Sequence, residues 1–192
     1  MYSFYNVAAI GTLLLVIYIL TDFFRNKTKN ILSRLIMYTF IFYLLNVAQI
    51  TTRGIVFPPQ NDFTPGLQLV PFYFIGDWFN LYYRSGFDWF FWNSVKLSIY
   101  NVIMLIPLGI YLSWLFKVKR LSKAISVVFL ASFTIETSQL VLGYLGFVMG
   151  RTFNVDDLIL NTLGGVTGYL FTELVKRFVK GSVGERGKIT GN

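Results

Sequence analysis

The sequence predicts an all-α integral membrane protein, a helical bundle of about five transmembrane helices with its N-terminus outside and its C-terminus inside. Three observations predict it. Only 14% of the 192 residues are charged and 55% are hydrophobic, whereas about a quarter of a typical soluble domain is charged. Nearly uncharged apolar stretches recur at lengths of about 18 residues or more, enough to cross a hydrocarbon core of ~30 Å. The cations fall in every second connection between those stretches, and Lys/Arg-rich short loops stay in the cytoplasm.

The first span covers 2–24 and is uncharged until Asp22. Only Met1–Ser3 precede its apolar core and a basic cluster follows it, the reverse of a cleaved signal peptide. The second span covers 31–50. The third, 94–116, carries Lys96 near its start and Pro107 within it, where a proline kinks a helix and frees a carbonyl. The fourth, 124–141, is interrupted by Glu136, and the fifth, 158–175, contains Asn161 and Glu173. Residues 1–180 read as a single transmembrane domain. The polar, glycine-containing segment 181–192 reads as a disordered cytoplasmic tail.

The net charge of +8 arises from 17 Lys and Arg against 9 Asp and Glu. Thirteen of those cations lie in the turn 25–34, the turn 117–123 and the segment from Lys176 onward; Arg53, Arg84, Lys96 and Arg151 lie on the other side. The basic charge is therefore a topology signal. Nucleic-acid binding needs a concentrated basic face on a folded domain, and none is expected. Cysteine and histidine are both absent, which excludes disulfides, thiol or imidazole catalysis and zinc sites built on either residue. No phosphate-binding glycine loop occurs.

The one long connection, 51–93, holds fourteen aromatic residues and Pro58, Pro59, Pro65 and Pro71. So much apolar surface does not stand free in water, and Tyr and Trp favour the headgroup level. The segment reads as an outer interfacial cap with a short amphipathic piece near 75–83. It serves either as an aromatic anchor or as a platform for an amphiphile.

Ionisable groups at membrane depth are costly and face the bundle interior. Glu136 lies thirteen residues beyond Lys123, about 20 Å along a helix, and Gln139 shares its face. Thr134 and Ser138 add hydroxyls nearby. Asn101, Arg151, Asp156, Asp157 and Asn161 reach the same outer half. Structural uses compete with functional ones: Glu136 could pair with Arg151, and Asn154 or Asp156 could cap the fifth span. Gly164 and Gly168 form a G-x-x-x-G pair that suits packing within the bundle first and a homodimer second.

The stretch from Glu136 to Gln139, then Gly150-Arg151 through Asp156-Asp157 and Asn161 to Gly164, Gly165 and Gly168, resembles the VanZ-like family, whose pattern is E-x-x-Q, R-x-x-D-x-x-D, D-x-x-x-N and a glycine-rich helix. Leu69-Val70-Pro71-Phe72 and Asn101 through Pro107-Leu108-Gly109 are similar to two further segments of it. The acidic pair here is Asp156-Asp157, with Asn154 or Asp156 at the first acidic position of the pattern. The resemblance implies a small multi-pass protein of the bacterial cytoplasmic membrane, commonly of Gram-positive bacteria, in a family whose founding member confers low-level teicoplanin resistance.

Three functions compete. The favoured one is a non-enzymatic protein that binds a membrane lipid, a lipid-linked cell-wall precursor or a lipoglycopeptide at the outer leaflet, reducing susceptibility to teicoplanin-type antibiotics. Asn101, Glu136, Gln139, Arg151, Asp156, Asp157 and Asn161 would form its polar site. The second is an intramembrane enzyme acting on such a precursor, with Glu136 or Asp157 as the acid–base group. Asp156 and Asp157 are the candidate ligands of a divalent cation, the one cofactor considered. The third is a transporter or flippase subunit; five spans without an inverted repeat count against it.

Overall fold

The protein is described by a computed structural model over residues 3–27, 29–60 and 64–189, with side chains over 5–27, 29–60 and 64–179. Asp62 and Phe63 of the outer segment, and the side chains of Arg186 and Lys188, lie outside the described residues. In chain order the elements are β1 (Ser3–Tyr5), α1 (Val7–Asn26), α2 (Ile31–Thr52), β2 (Ile55–Phe57), β3 (Leu67–Gln68), α3 (Tyr73–Ser85), α4 (Trp89–Trp114), α5 (Leu121–Tyr144), β4 (Phe153–Asn154) and α6 (Val155–Ile189). Five of these helices, all but α3, are long and apolar enough to cross a membrane. The chain is a helical, multi-pass membrane protein.

Local chemistry sets the helix boundaries and shifts several from those read by hydropathy. The first span starts at Val7, not at residue 2, because Asn6 accepts from the Ala9 N–H as an N-cap. Ser3–Tyr5 instead pair antiparallel with Ile55–Phe57. The third span starts at Trp89 because Asp88 accepts from the Phe91 N–H; the aromatic run 89–92 is thus the first turn of α4 and not part of a cap. The fourth runs on to Tyr144 and ends in a turn where Gly146 adopts a φ of +75°, a region open to glycine. The short amphipathic piece expected near 75–83 is α3, thirteen residues long. The helix α6 continues to Ile189, through most of the segment whose composition predicts disorder. A helix satisfies its backbone internally and needs no buried face to do so.

The two ladders, β1 with β2 and β3 with β4, are each two-stranded. Both lie at the bundle end where α2 and α5 finish and α4 and α6 begin. The parallel pair Leu67–Gln68 with Phe153–Asn154 ties the long connection to the start of α6.

The core is built from Leu105, Leu108 and Leu112 of α4, Ala124 and Val128 of α5, and Tyr169 of α6. Close backbone approach between α4 and α6 organises it. A Cβ at Gly164 would lie 1.7 Å from the Val102 carbonyl oxygen, and one at Gly168 would lie 2.2 Å from that of Ile106. Gly109 of α4 makes the reciprocal approach to the Gly165 carbonyl. The glycine face that suggested a homodimer is therefore spent inside the chain, because only residues without a side chain let these two backbones meet. Near Pro107, which cannot donate to its helix, the Tyr43 hydroxyl donates to the Met104 carbonyl at 3.0 Å.

The helices α1 and α2 stand outermost. Leu13, Leu14, Leu20 and Phe24 of α1 remain exposed, an arrangement that hydrocarbon tolerates and water does not. The hairpin is locked by Asp22, which pairs with Arg34 and accepts from the Tyr38 hydroxyl.

Candidate functional site

At the ladder-bearing end of the bundle, a cavity of about 600 Å³ opens between α2, α3, α4 and the start of α6. Its size lies within the range of small-molecule sites. The wall combines Arg53 and Arg151 with Asp77, Asp156 and Asp157, and adds the amides of Gln68, Asn101 and Asn154. Ser94, Ser98, Tyr73 and Tyr100 complete the polar lining.

Asn154 is the N-cap of α6. Its Oδ1 accepts from the Asp156 N–H at 2.9 Å, and its Nδ2 donates to Asp157 Oδ1 at 3.2 Å. The two aspartates occupy the first turn of α6, where the positive end of the helix dipole favours carboxylates. Asp156 is 2% exposed and its Oδ2 accepts from the Phe74 N–H at 2.8 Å. That N–H belongs to the first turn of α3, whose own N-cap position, Phe72, supplies no side-chain acceptor. An aspartate of α6 thus caps α3.

Arg151 and Gln139 do the complementary work at the end of α2. The last carbonyls of a helix have no intrahelical partner. Arg151 donates to the Ile50 carbonyl at 2.6 Å and Gln139 donates to the Thr51 carbonyl at 3.0 Å. Burial, followed by the neighbouring Arg53 charge, pushes the Arg151 guanidinium down from its ordinary pKa, while Asp157 and Glu136 push it back up. Its Nε is buried with no hydrogen-bond partner within the described residues.

Of the seven residues expected to form the site, Asn101, Arg151, Asp156 and Asp157 line the cavity. Glu136, Gln139 and Asn161 are buried behind the wall. Glu136 accepts from the Asn154 N–H at 3.2 Å, so it supports the residue that caps α6. It forms no ion pair with Arg151; the ion pairs among the described residues are Asp22–Arg34 and Glu173–Lys176. Asn161 is fully buried, and neither of its amide atoms has a hydrogen-bond partner in the described residues. Thr134 and Ser138 are exposed on another face of α5. Among the described residues, no three Asp or Glu side chains come together as metal ligands.

Sequence reasoning missed Arg53, Gln68, Asp77, Ser94, Ser98, Tyr73 and Tyr100. One signal was available: Ser94, Ser98 and Asn101 recur at i, i+4 and i+7 on α4, a polar stripe on one helical face.

No curated protein matches the chain, and no solved structure does. The sequence model of the VanZ/LLP1 family matches residues 9–176, which takes in all but the ends of the five spans together with every residue of the cavity wall. The chain therefore belongs to the VanZ/LLP1 family.

Proposed function

We propose that this protein lies in the bacterial cytoplasmic membrane with the cavity facing outward. There it binds the polar head of an amphiphile, which is a membrane lipid, a lipid-linked cell-wall precursor or an acylated glycopeptide, and thereby lowers susceptibility to teicoplanin-type antibiotics. The observation that carries this reading is the composition of the cavity. Two arginines and three carboxylates surround one polar volume, directly beside Phe72 and α3, where Phe72, Tyr73, Phe79 and Tyr83 are exposed. Arginine is suited to phosphate or carboxylate recognition and carboxylates to amines, while exposed rings suit a chain at the headgroup boundary. Family membership supports the link to the envelope.

The test is susceptibility to teicoplanin in cells expressing wild type, Asn101→Leu and Asp157→Asn at equal membrane levels. Loss of protection in both variants is expected. Full protection by both would remove the cavity from the function.

An enzymatic reading draws on one feature. Asp157 is a carboxylate in the wall of the cavity, within reach of a bound molecule. Glu136, 2% exposed and behind Asn154, is not. Lipid analysis of membranes with and without the protein separates the readings: a modified precursor that disappears in Asp157→Asn favours an enzyme.

A further inference from the structure

At the opposite end of the bundle a second cleft, of about 370 Å³, lies between the α4–α5 connection and α6. Its charged lining is Lys117, Lys119, Lys176 and Arg177 against the single carboxylate of Glu173. That carboxylate is already committed. Lys176 Nζ lies 2.9 Å from Glu173 Oε1 and 2.7 Å from both the carbonyl and the hydroxyl oxygen of Ser113, and the Ser113 hydroxyl donates to Glu173 at 2.6 Å. Lys117, Lys119 and Arg177 remain, and none of them has a hydrogen-bonded or ion-paired partner among the described residues.

The cleft is held in shape. The Phe116 N–H bonds the Tyr111 carbonyl at 3.0 Å and the Val118 N–H bonds that of Leu112 at 2.9 Å. The Tyr169 hydroxyl of α6 donates to the Val118 carbonyl at 2.9 Å. Lys117 sits between these fixed points at a φ of +50°, a conformation that costs a non-glycine residue about 1 kcal/mol or more. Cations that served topology alone would need neither a pinned loop nor a shared cleft. Trp114 and Phe116 are exposed beside it, as expected of side chains facing lipid next to a headgroup.

We propose that this cleft binds a phosphate-bearing anion through Lys117, Lys119 and Arg177, with Lys176 held by Glu173 and Ser113 as its floor. The phosphate comes either from an anionic phospholipid headgroup or from free phosphate. Basic pockets between helices at a membrane boundary recognise such groups. This site is separate from the outward cavity and does not depend on the function proposed for it.

The test uses the full chain in nanodiscs of phosphatidylcholine, of phosphatidylcholine with phosphatidylglycerol, and of phosphatidylcholine with inorganic phosphate added. Lysine acetylation is mapped by peptide mass spectrometry, and retained lipid is followed by native mass spectrometry. Lys117 and Lys119 are expected to be protected by phosphatidylglycerol while Lys27 and Lys29, which are exposed on the α1–α2 turn, are not. Protection by inorganic phosphate as well would assign the site to the phosphate group itself; protection by the lipid alone would assign it to the headgroup. Lys119→Gln, and then Lys117→Gln with Arg177→Gln, should each time lower the preference for phosphatidylglycerol over phosphatidylcholine about fivefold per cation removed. Equal reactivity of Lys117 and Lys119 in all three discs overturns the proposal. So does equal protection of Lys27 and Lys29, which would reduce the effect to general surface charge.

Discussion

Asp156 accepts the backbone N–H of Phe74 at 2.8 Å, so a carboxylate at the start of α6 caps a helix 82 residues earlier in the chain. Both residues belong to the wall of the cavity. This side chain ties the start of the aromatic α3 to α6, beside the bond from the Ser94 hydroxyl of α4 to Asp77 of α3.

Asp156→Ala should loosen the start of α3. Loss of an N-cap costs about 1 kcal/mol, and α3 contributes no buried residue to replace it. Amide exchange over Tyr73–Ser85 is expected to rise while exchange in α4 and α6 stays low. Asp156→Asn keeps an acceptor and should retain most of the protection. Unchanged exchange in the alanine variant would mean that packing and the bond donated by the Ser94 hydroxyl of α4 to Asp77 hold α3 without this cap.

Two glycines give opposite predictions for the same added methyl group. At Gly164 the new Cβ would meet the Val102 carbonyl at 1.7 Å. Backbone cannot rotate away as a side chain can, so α4 must shift, at a cost of about 3 kcal/mol. At Gly76, the fourth residue of α3, nothing lies within 4 Å, and Gly→Ala within a helix gains up to about 1 kcal/mol. Thermal unfolding in detergent should show Gly164→Ala strongly destabilised and Gly76→Ala slightly stabilised.

The height of a polar residue along its helix is legible in a membrane sequence, whereas the direction it faces is not. Rise along the spans, with the place of Arg151, Asp156 and Asp157 just before the fifth, brings Asn101, Glu136, Gln139, Arg151, Asp156, Asp157 and Asn161 to one end of the bundle; four of them line the cavity and three are buried. Which of them face the cavity depends on how each helix is rotated against its neighbours. That rotation is set by contacts such as Gly164 on Val102 and Gly109 on Gly165, which no single helix contains. Arg53, Gln68, Tyr73 and Asp77 were harder still. They sit on the connection 51–93, whose path is fixed by pairing with distant partners, Gln68 with Asn154 and Phe74 with Asp156. Hydropathy carries no trace of either pairing.

Asn161 tests how polarity is used beneath the cavity. It is fully buried and its amide has no partner in the described residues. A buried polar group without a partner costs about 1–3 kcal/mol. Asn161→Val removes the amide at a modest change in volume and should raise the melting temperature in detergent. If the proposed protection against teicoplanin is found in the wild type and falls at the same time, the amide serves function at the expense of stability. A lower melting temperature would show that the amide is hydrogen-bonded in the membrane-embedded protein.

The orientation of the bundle decides whether the cavity can meet an outer-leaflet ligand, and the chain is well suited to measuring it. It contains no cysteine, so each introduced thiol is the sole reactive site. Ser85 ends α3 on the cavity side and Lys29 lies on the α1–α2 turn at the other end; both are exposed. The positive-inside rule puts the turn, with Arg25, Lys27 and Lys29, in the cytoplasm. A membrane-impermeant maleimide added to intact cells should therefore label Ser85→Cys and spare Lys29→Cys, and permeabilisation should expose both. Neither side chain takes part in the core or in the ion pair of Asp22 with Arg34; Lys29 meets Arg34 through its backbone carbonyl, which a cysteine keeps, so expression should match wild type. The reverse pattern would turn the cavity toward the cytoplasm. It would then face nucleotides and soluble precursors in place of the cell wall, and the outer-leaflet function would fall with it.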